Sequence, residues 1–145
     1  MWLLRRMKQI CVGEGLLADY WAKEGRAVLE LAVPVWHSGL TSRQSSAIER
    51  CQRVAMAVIA NSGWRDYDAT LARLGLTRLK VRREKLCRTF ATRTVARSRH
   101  QDLFPKREHS HHTRGGNTYK EDTCRTRRRF NSARPYLARL LNNPP

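Results

Sequence analysis

The chain is organised around a run of apolar positions, residues 28–36, and the amphipathic segment that follows a polar turn. Pro34 lies inside the apolar run, and because proline lacks the amide hydrogen that a helix interior needs, a helix arriving here should end or kink. After the turn, Thr41 and Gln44 have the spacing of a capping box, in which each side chain accepts a hydrogen bond from the other residue's amide. The pattern predicts a helix–Pro-turn–helix hairpin over residues 28–60.

Apolar positions spaced three or four apart predict further helices and the faces that they bury. These helices are expected over residues 2–11, 16–31, 67–74, 78–99 and 130–141. Gly25 weakens the predicted helix 16–31. Asp66 and Gly75 suit the start and the end of helix 67–74, and Thr77 suits the start of helix 78–99. The expected core positions are Val35, Trp36, Ile48, Cys51, Val58, Leu86 and Phe90. Because no segment alternates apolar and polar residues as a half-buried strand would, the predicted class is all-α, a small helical bundle built on the hairpin.

The periodicity stops near Pro105, and this sets the expected boundaries. Residues 105–129 are polar and basic, so they bury too little apolar surface to offset the entropy of ordering, which predicts disorder in the free chain. We therefore expect a helical domain over 1–104, a basic disordered segment over 105–129, and a short C-terminal helix and tail over 130–145.

Charge is concentrated in the second half of the chain. Residues 1–72 carry 9 basic and 7 acidic side chains, whereas residues 73–145 carry 20 and 5, so most of the net charge of +17 lies there. The positive electrostatic field of such a segment attracts polyanions, and it favours nucleic acid over an acidic membrane as the partner. The alternative at this level is a solvated charged tail without a fixed partner.

The candidate phosphate contacts are arginines, because a guanidinium group matches phosphate oxygens in a bidentate arrangement. They comprise one face of the predicted helix 78–99 and a cluster beyond it: Arg78, Arg82, Arg83, Arg88, Arg93, Arg97, Arg125, Arg127, Arg128 and Arg129. No pattern for reading base edges accompanies them, so binding is expected to be electrostatic and insensitive to sequence. A solvated helix face is the alternative.

Other chemistry is poorly supported by the sequence. The four cysteines include no CxxC pair, and the histidines near Cys124 lack the spacing of a zinc site, so no metal and no cofactor are expected. His37 has no carboxylate at a fixed spacing, which favours a capping or packing role. No leader and no apolar stretch of membrane-spanning length is seen, which predicts a reduced intracellular protein of the cytoplasm or nucleus, without a membrane or a small-molecule substrate as partner.

The hairpin and the segments around it resemble a known family. The blocks that carry the resemblance are Trp2–Lys8, Val28–Thr41 with Gln44, Ile48–Ala55, Leu74–Leu79, Arg82–Cys87 with Phe90 and Ala91, and His100–Pro105. In this order they resemble the thumb and post-thumb region of non-LTR retrotransposon reverse transcriptases of the Jockey and CR1-like kind, over residues 1 to about 105. The stretch Ala22–Ala27 departs from that family's pattern. A similar helical block is attached to some alkylation-repair-type tRNA-modifying proteins.

The resemblance implies binding of RNA or DNA, with the palm of a reverse transcriptase as a further partner, but not catalysis. Polymerisation in this family uses palm aspartates that hold two metal ions. Here the five aspartates are scattered and no Tyr-x-Asp-Asp motif is present. The resemblance therefore predicts a non-catalytic C-terminal fragment of an RNA-directed DNA polymerase. The rival prediction is an interaction module whose apolar hairpin docks on a palm or on another protein, which incomplete burial of Trp2, Trp21 and Trp36 would favour.

Overall fold

The computed structural model describes residues 1–60, 63–64, 66–107 and 118–143, and the side chains of Ser98, Arg99 and Gln101 lie outside the description. The α-helices are α1 (Trp2–Gln9), α2 (Glu14–Tyr20), α3 (Arg26–Glu30), α4 (Val33–Trp36), α5 (Ser42–Ala60), α6 (Tyr67–Arg73), α7 (Leu79–Ala96), α8 (Arg127–Phe130) and α9 (Ala133–Asn142). A π-helical turn, Trp21–Gly25, joins α2 to α3, and 3₁₀ turns cover His37–Gly39 and Ser98–Leu103. Within the described residues there is no strand, only an isolated bridge between Lys106 and Tyr119. The predicted all-α class is confirmed.

The chain divides into two compact units, and this division differs from the boundaries predicted at residues 104 and 129. The first unit is Met1–Leu31 with Thr41–Arg82, and the second is Ala32–Leu40 with Arg83–Pro145. The backbone turns at Ala32, which has a left-handed φ of 53°. The unit boundary falls inside the first arm of the predicted hairpin: residues 28–31 and α5 belong to the first unit, and α4 belongs to the second.

The first unit is built on a core from α1, α2, α5 and α6. Its buried apolar residues are Leu4, Leu17, Trp21, Ala55, Met56, Ile59, Tyr67 and Leu71. The local helix signals predicted for this unit are confirmed. The Gln44 amide donates to Thr41 Oγ1 at 3.2 Å and the Thr41 amide donates to Gln44 Oε1 at 2.9 Å. Asp66 accepts from the amides of Asp68 and Ala69, and Gly75 has a φ of 65°.

Gly25 has a packing role that the sequence did not indicate. The indole of Trp21 is 5% exposed and lies against the Gly25 backbone, where a Cβ atom would overlap the ring. The π-helical turn ends at Gly25, and such turns are rare insertions in a helix. The glycine was expected only to weaken the helix, but its missing side chain is what leaves room for the indole.

The second unit has its own core, supplied by α4, α7, α9 and the segment around Phe104. The buried residues are Val33, Cys87, Ala91, Phe104, Leu137 and Ala138. The prediction that a last short helix docks back on the chain is confirmed within this unit, because Leu137 and Ala138 of α9 share a core with Cys87 of α7. Burial raises the pKa of the Cys87 thiol to about 11.

Several predicted core positions are wrong. Val35 is 70% exposed, Phe90 is 45% exposed, and Cys51 is exposed. Ile48 is partly buried, whereas Trp36, Val58 and Leu86 are partly buried and pack against the cores as predicted. On α5 the buried residues are Gln52, Ala55, Met56, Ile59 and Ala60, so the buried face lies beside the predicted core positions Ile48, Cys51 and Val58. The cause is tertiary: Gln52 is buried because its Nε2 donates to Tyr67 Oη and to the carbonyl of Thr77, both at 3.0 Å. Apolar spacing alone does not reveal such a buried amide.

The predicted disorder over 105–129 is also wrong for the part that the structure describes, and residues 108–117 of that segment lie outside it. The Arg107 amide donates to the carbonyl of Thr118 at 2.9 Å. Asn142 of α9 accepts from the Tyr119 amide at 2.9 Å and donates to the Tyr119 carbonyl at 3.0 Å. The Tyr119 side chain packs against the second core. A single apolar side chain with both backbone groups satisfied is thus enough to fix this segment to α9.

Candidate nucleic-acid interface

The predicted phosphate contacts in the first unit are held by carboxylates. Arg78 forms a bidentate pair with Asp68, in which Arg78 Nε lies 2.7 Å from Asp68 Oδ1. Hydrogen bonding to Arg78 lowers the pKa of the Asp68 carboxyl. Arg82 Nε donates to Glu30 Oε1 at 2.8 Å. Both arginines are therefore engaged in folding contacts of their own unit.

Glu30 holds a second arginine, which is buried. Arg26 is 5% exposed, its Nη2 donates to the Thr77 carbonyl at 3.1 Å, and its Nε lies 3.5 Å from Glu30 Oε1. Burial lowers the pKa of Arg26, and Glu30, which opposes that shift, is the nearest compensating charge. The Glu30 side chain is itself only 12% exposed. Removing one partner from such a cluster strands a buried charge, so the cluster is a structural element.

The N-terminus of α7 is capped from another helix. The amides of Leu79 and Lys80 donate to the two carboxylate oxygens of Glu49 at 3.1 and 3.2 Å. Tyr67 Oη also donates to Glu49 Oε1, at 2.6 Å, and burial is the main reason why the pKa of Tyr67 is raised. The sequence predicted Thr77 as this cap, whereas a carboxylate 30 residues away supplies the acceptors. A negative charge there also complements the helix dipole.

In the second unit, Arg83 is not a surface residue. It is 0% exposed, and its Nε donates to His37 Nδ1 at 3.4 Å. The His37 ring in turn packs edge-on against Tyr136, with 5.7 Å between ring centroids. Burial raises the pKa of Tyr136. The predicted packing role of His37 agrees with this contact, but Arg83 has to be removed from the candidate phosphate contacts because no ligand can reach it.

Arg88 also has a structural contact. Its Nη1 donates to the carbonyls of Leu140 and Asn143 at 3.3 and 2.8 Å, at the C-terminal end of α9. Carbonyl groups at a helix end lack partners inside the helix, and a basic side chain satisfies them. The guanidinium group of the partly buried Arg88 is thus engaged by the protein backbone.

The remaining candidates are exposed. They are Arg93 and Arg97 at the end of α7, and Arg125, Arg127, Arg128 and Arg129 around α8. Among the described residues, Arg93 and Arg97 have no carboxylate within ion-pair distance. Their i, i+4 spacing brings two like charges together, an arrangement that costs a helix a few tenths of a kcal/mol. A bound polyanion would relieve this repulsion.

Arg93 and Arg97 line a shallow cavity of about 370 Å³ with Phe90, Thr94, His100 and Leu103. Phe90 and Arg93 fall at i and i+3 on α7, and Arg97 follows directly after its last residue. Phe90 is 45% and Leu103 is 47% exposed. The two arginines were predicted from the sequence as phosphate contacts, whereas Phe90 was predicted in the core. The cause is helical spacing, which is the same for Phe90 as for the buried Cys87 and Ala91. The cavity combines an exposed aromatic ring with two arginines that have no carboxylate partner in the described part of the chain.

The structure offers little support for other kinds of site. No group of three or more potential metal ligands occurs among the described residues, and His109, His111 and His112 lie outside them. All four cysteines are free thiols. None of the described helices combines the length and apolar character that a membrane span requires.

Comparison of the chain with protein-family models, with curated proteins and with solved structures finds no match.

Proposed function

We propose that this chain is a non-catalytic C-terminal part of a retrotransposon reverse transcriptase that binds RNA or DNA through phosphate contacts of its second unit. The assignment to the reverse transcriptases is supported by the sequence blocks around Trp36 and Thr41. The binding role is supported by exposed arginines for which the described residues provide no carboxylate partner. Phosphate contacts are made by side chains of this type, and they dominate affinity for nucleic acids.

The observation that carries the proposal is the different use of arginine along α7. Arg82, Arg83 and Arg88 are bound to Glu30, His37 and backbone carbonyls respectively. Arg93 on the same helix and Arg97 directly after it are exposed beside an open cavity. Because the first three are used within the fold, the phosphate contacts are assigned to the last two and to the cluster 125–129.

The test is the salt dependence of binding. Each neutralised phosphate of a single strand contributes about −0.7 to the slope of log affinity against log salt concentration. Replacing Arg93 and Arg97 with Ala should therefore flatten the slope by roughly 1.4 and weaken binding to unrelated RNA and DNA sequences alike. Fluorescence anisotropy between low and physiological salt, with two RNAs and one DNA, measures both quantities.

A matched control removes the same charge from the first unit. Arg43 and Arg50 are exposed on α5, also without a carboxylate partner among the described residues. The Arg43→Ala/Arg50→Ala variant should keep the wild-type slope within about 0.3. An affinity that does not depend on salt, or equal slopes for both double variants, would show that the second-unit arginines are only a solvated surface.

A second candidate function is docking on a protein partner, such as the palm of a reverse transcriptase. Trp2 is 72% exposed and Ile10 is 75% exposed, whereas Trp21 is buried and Trp36 partly buried. Exposed apolar residues of this size on one short helix are typical of interaction surfaces. The same titrations separate the two candidates, since a docking module without a nucleic-acid role would give no binding to RNA or DNA at any salt concentration.

A further inference from the structure

The cavity beside Phe90 has a feature that phosphate binding alone does not require. The Phe90 ring is 45% exposed in a wall otherwise formed by Arg93, Thr94, Arg97, His100 and Leu103. Burying this ring against the second core would be favourable, yet the side chain that follows it, Ala91, is the one directed inward. An aromatic face next to two cations is the arrangement with which proteins hold unstacked bases.

We infer that the cavity formed by Phe90, Arg93, Arg97 and Leu103 is a binding site for single-stranded nucleic acid, in which a base stacks on Phe90 while the two arginines contact the flanking phosphates. The inference rests on the proposed nucleic-acid function and specifies its ligand. A base in a duplex has both faces covered by its neighbours, so the ring can be stacked only by a base that is free of a partner strand.

The other exposed phenylalanine of the unit shows why Phe90 is the stacking residue. Phe130 is 47% exposed, about as much as Phe90. The guanidinium carbon of Arg139 lies 3.7 Å from the centre of the Phe130 ring, so that face is already occupied by the protein. Phe90 has no cation over its ring among the described residues. Phe130 therefore provides a control with the same side chain and exposure.

The site has limited means to read the identity of a base. The hydroxyl of Thr94 already donates to the carbonyl of Phe90 at 2.8 Å, and Leu103 offers only apolar contact. Stacking is tolerant of sequence because every base has an aromatic face. We therefore expect binding to single strands of different composition, with differences that follow stacking strength.

The experiment compares Phe90→Ala with Phe130→Ala in the full chain. The probes are a labelled 12-nucleotide poly-U RNA, a poly-dT DNA of the same length, and a blunt duplex with equal phosphate content. Phe90→Ala should weaken binding to both single strands by between about 5-fold and 150-fold, the range found when a stacking aromatic is removed. It should leave duplex affinity and the salt slope unchanged, because the number of phosphate contacts is the same. Phe130→Ala should bind like the wild type.

Two further variants make each outcome informative. Phe90→Trp should restore single-strand affinity, which a purely structural role of the residue would not predict, and circular dichroism checks that Phe90→Ala keeps its helix content. The Arg93→Ala/Arg97→Ala variant should weaken single strands and duplex together. If Phe90→Ala weakens no probe, or single strands and duplex equally, the stacking inference is overturned while the phosphate-binding function stands. If the wild type binds none of the probes, the proposed function itself fails, and the exposed ring has to be assigned to a protein partner.

Discussion

The two units differ in how many acidic side chains accompany their basic ones. The first unit carries 13 basic and 7 acidic side chains, and the second carries 16 and 5. In the first unit, Glu30 pairs with Arg26 and Arg82, Asp68 with Arg78, Glu14 with Arg73, and Asp19 with Lys23. In the second unit Asp122 lies 3.7 Å from Arg134, while Arg93 and Arg97 have no acidic partner among the described residues.

This comparison teaches that the availability of an arginine is decided by what the fold places beside it. Net charge describes the field around the whole chain, whereas binding needs guanidinium groups that are free to meet a phosphate. The next three predictions test contacts that distinguish a buried residue from an exposed or unhindered one: a charge cluster, a tightly packed glycine and a buried thiol.

The largest change in the free energy of unfolding is expected when Glu30 is replaced. Replacing Glu30 with Ala leaves the buried Arg26 without its compensating charge and releases Arg82, which should cost about 3–5 kcal/mol of unfolding free energy. Chemical denaturation followed by circular dichroism measures the loss. The matched control is Glu24→Ala, a loss of the same charge from an exposed side chain without a partner among the described residues, for which the change should stay within about 0.5 kcal/mol. Equal losses for both variants would mean that the charge cluster does not stabilise the first unit.

The second largest change in stability is expected at Gly25, and Gly15 of the same unit serves as the comparison. A Cβ atom on Gly25 would overlap the Trp21 ring, so Gly25→Ala should destabilise the chain by about 1–3 kcal/mol through displacement of the indole. Gly15, in the first turn of α2, has open space where a Cβ would lie, and Gly15→Ala should instead stabilise by up to about 1 kcal/mol. Trp fluorescence and denaturation measure both changes. A stabilising Gly25→Ala substitution would contradict the packing described for Trp21.

The smallest effect concerns two of the four cysteines, one taken from each unit. Burial raises the pKa of the Cys87 thiol to about 11, so only about 1% of it is thiolate at pH 9, and the thiolate is the reactive form. Cys51 on α5 is exposed. Between pH 7 and 9 a thiol reagent should modify Cys51 and spare Cys87, and labelling of Cys87 should rise as the pH approaches 11 or on unfolding. Mass spectrometry of peptides after timed labelling measures this. Labelling of Cys87 as rapid as that of Cys51 at pH 7 would show that the second core is open.

The sequence by itself determined the helical class and the local ends of helices. The caps at Thr41 and Asp66 and the left-handed stop at Gly75 depend on groups within four residues of one another, and these were predicted correctly. The charge asymmetry between the halves of the chain was also readable from composition. Such local signals do not depend on which helices pack against each other.

Only the tertiary structure decided which side chains are available for binding. The contacts that hold Arg82 and Arg88 join residues 52 and 55 positions apart, and the cap that Glu49 gives to α7 joins residues 30 positions apart. Helical spacing cannot reveal such partners. A period of 3.6 residues shows which side chains share a face of the helix, but not whether a carboxylate or solvent lies opposite that face. For this reason Arg83 and Phe90 were assigned to the wrong environments: the fold buries the arginine against His37 and leaves the phenylalanine exposed beside Arg93.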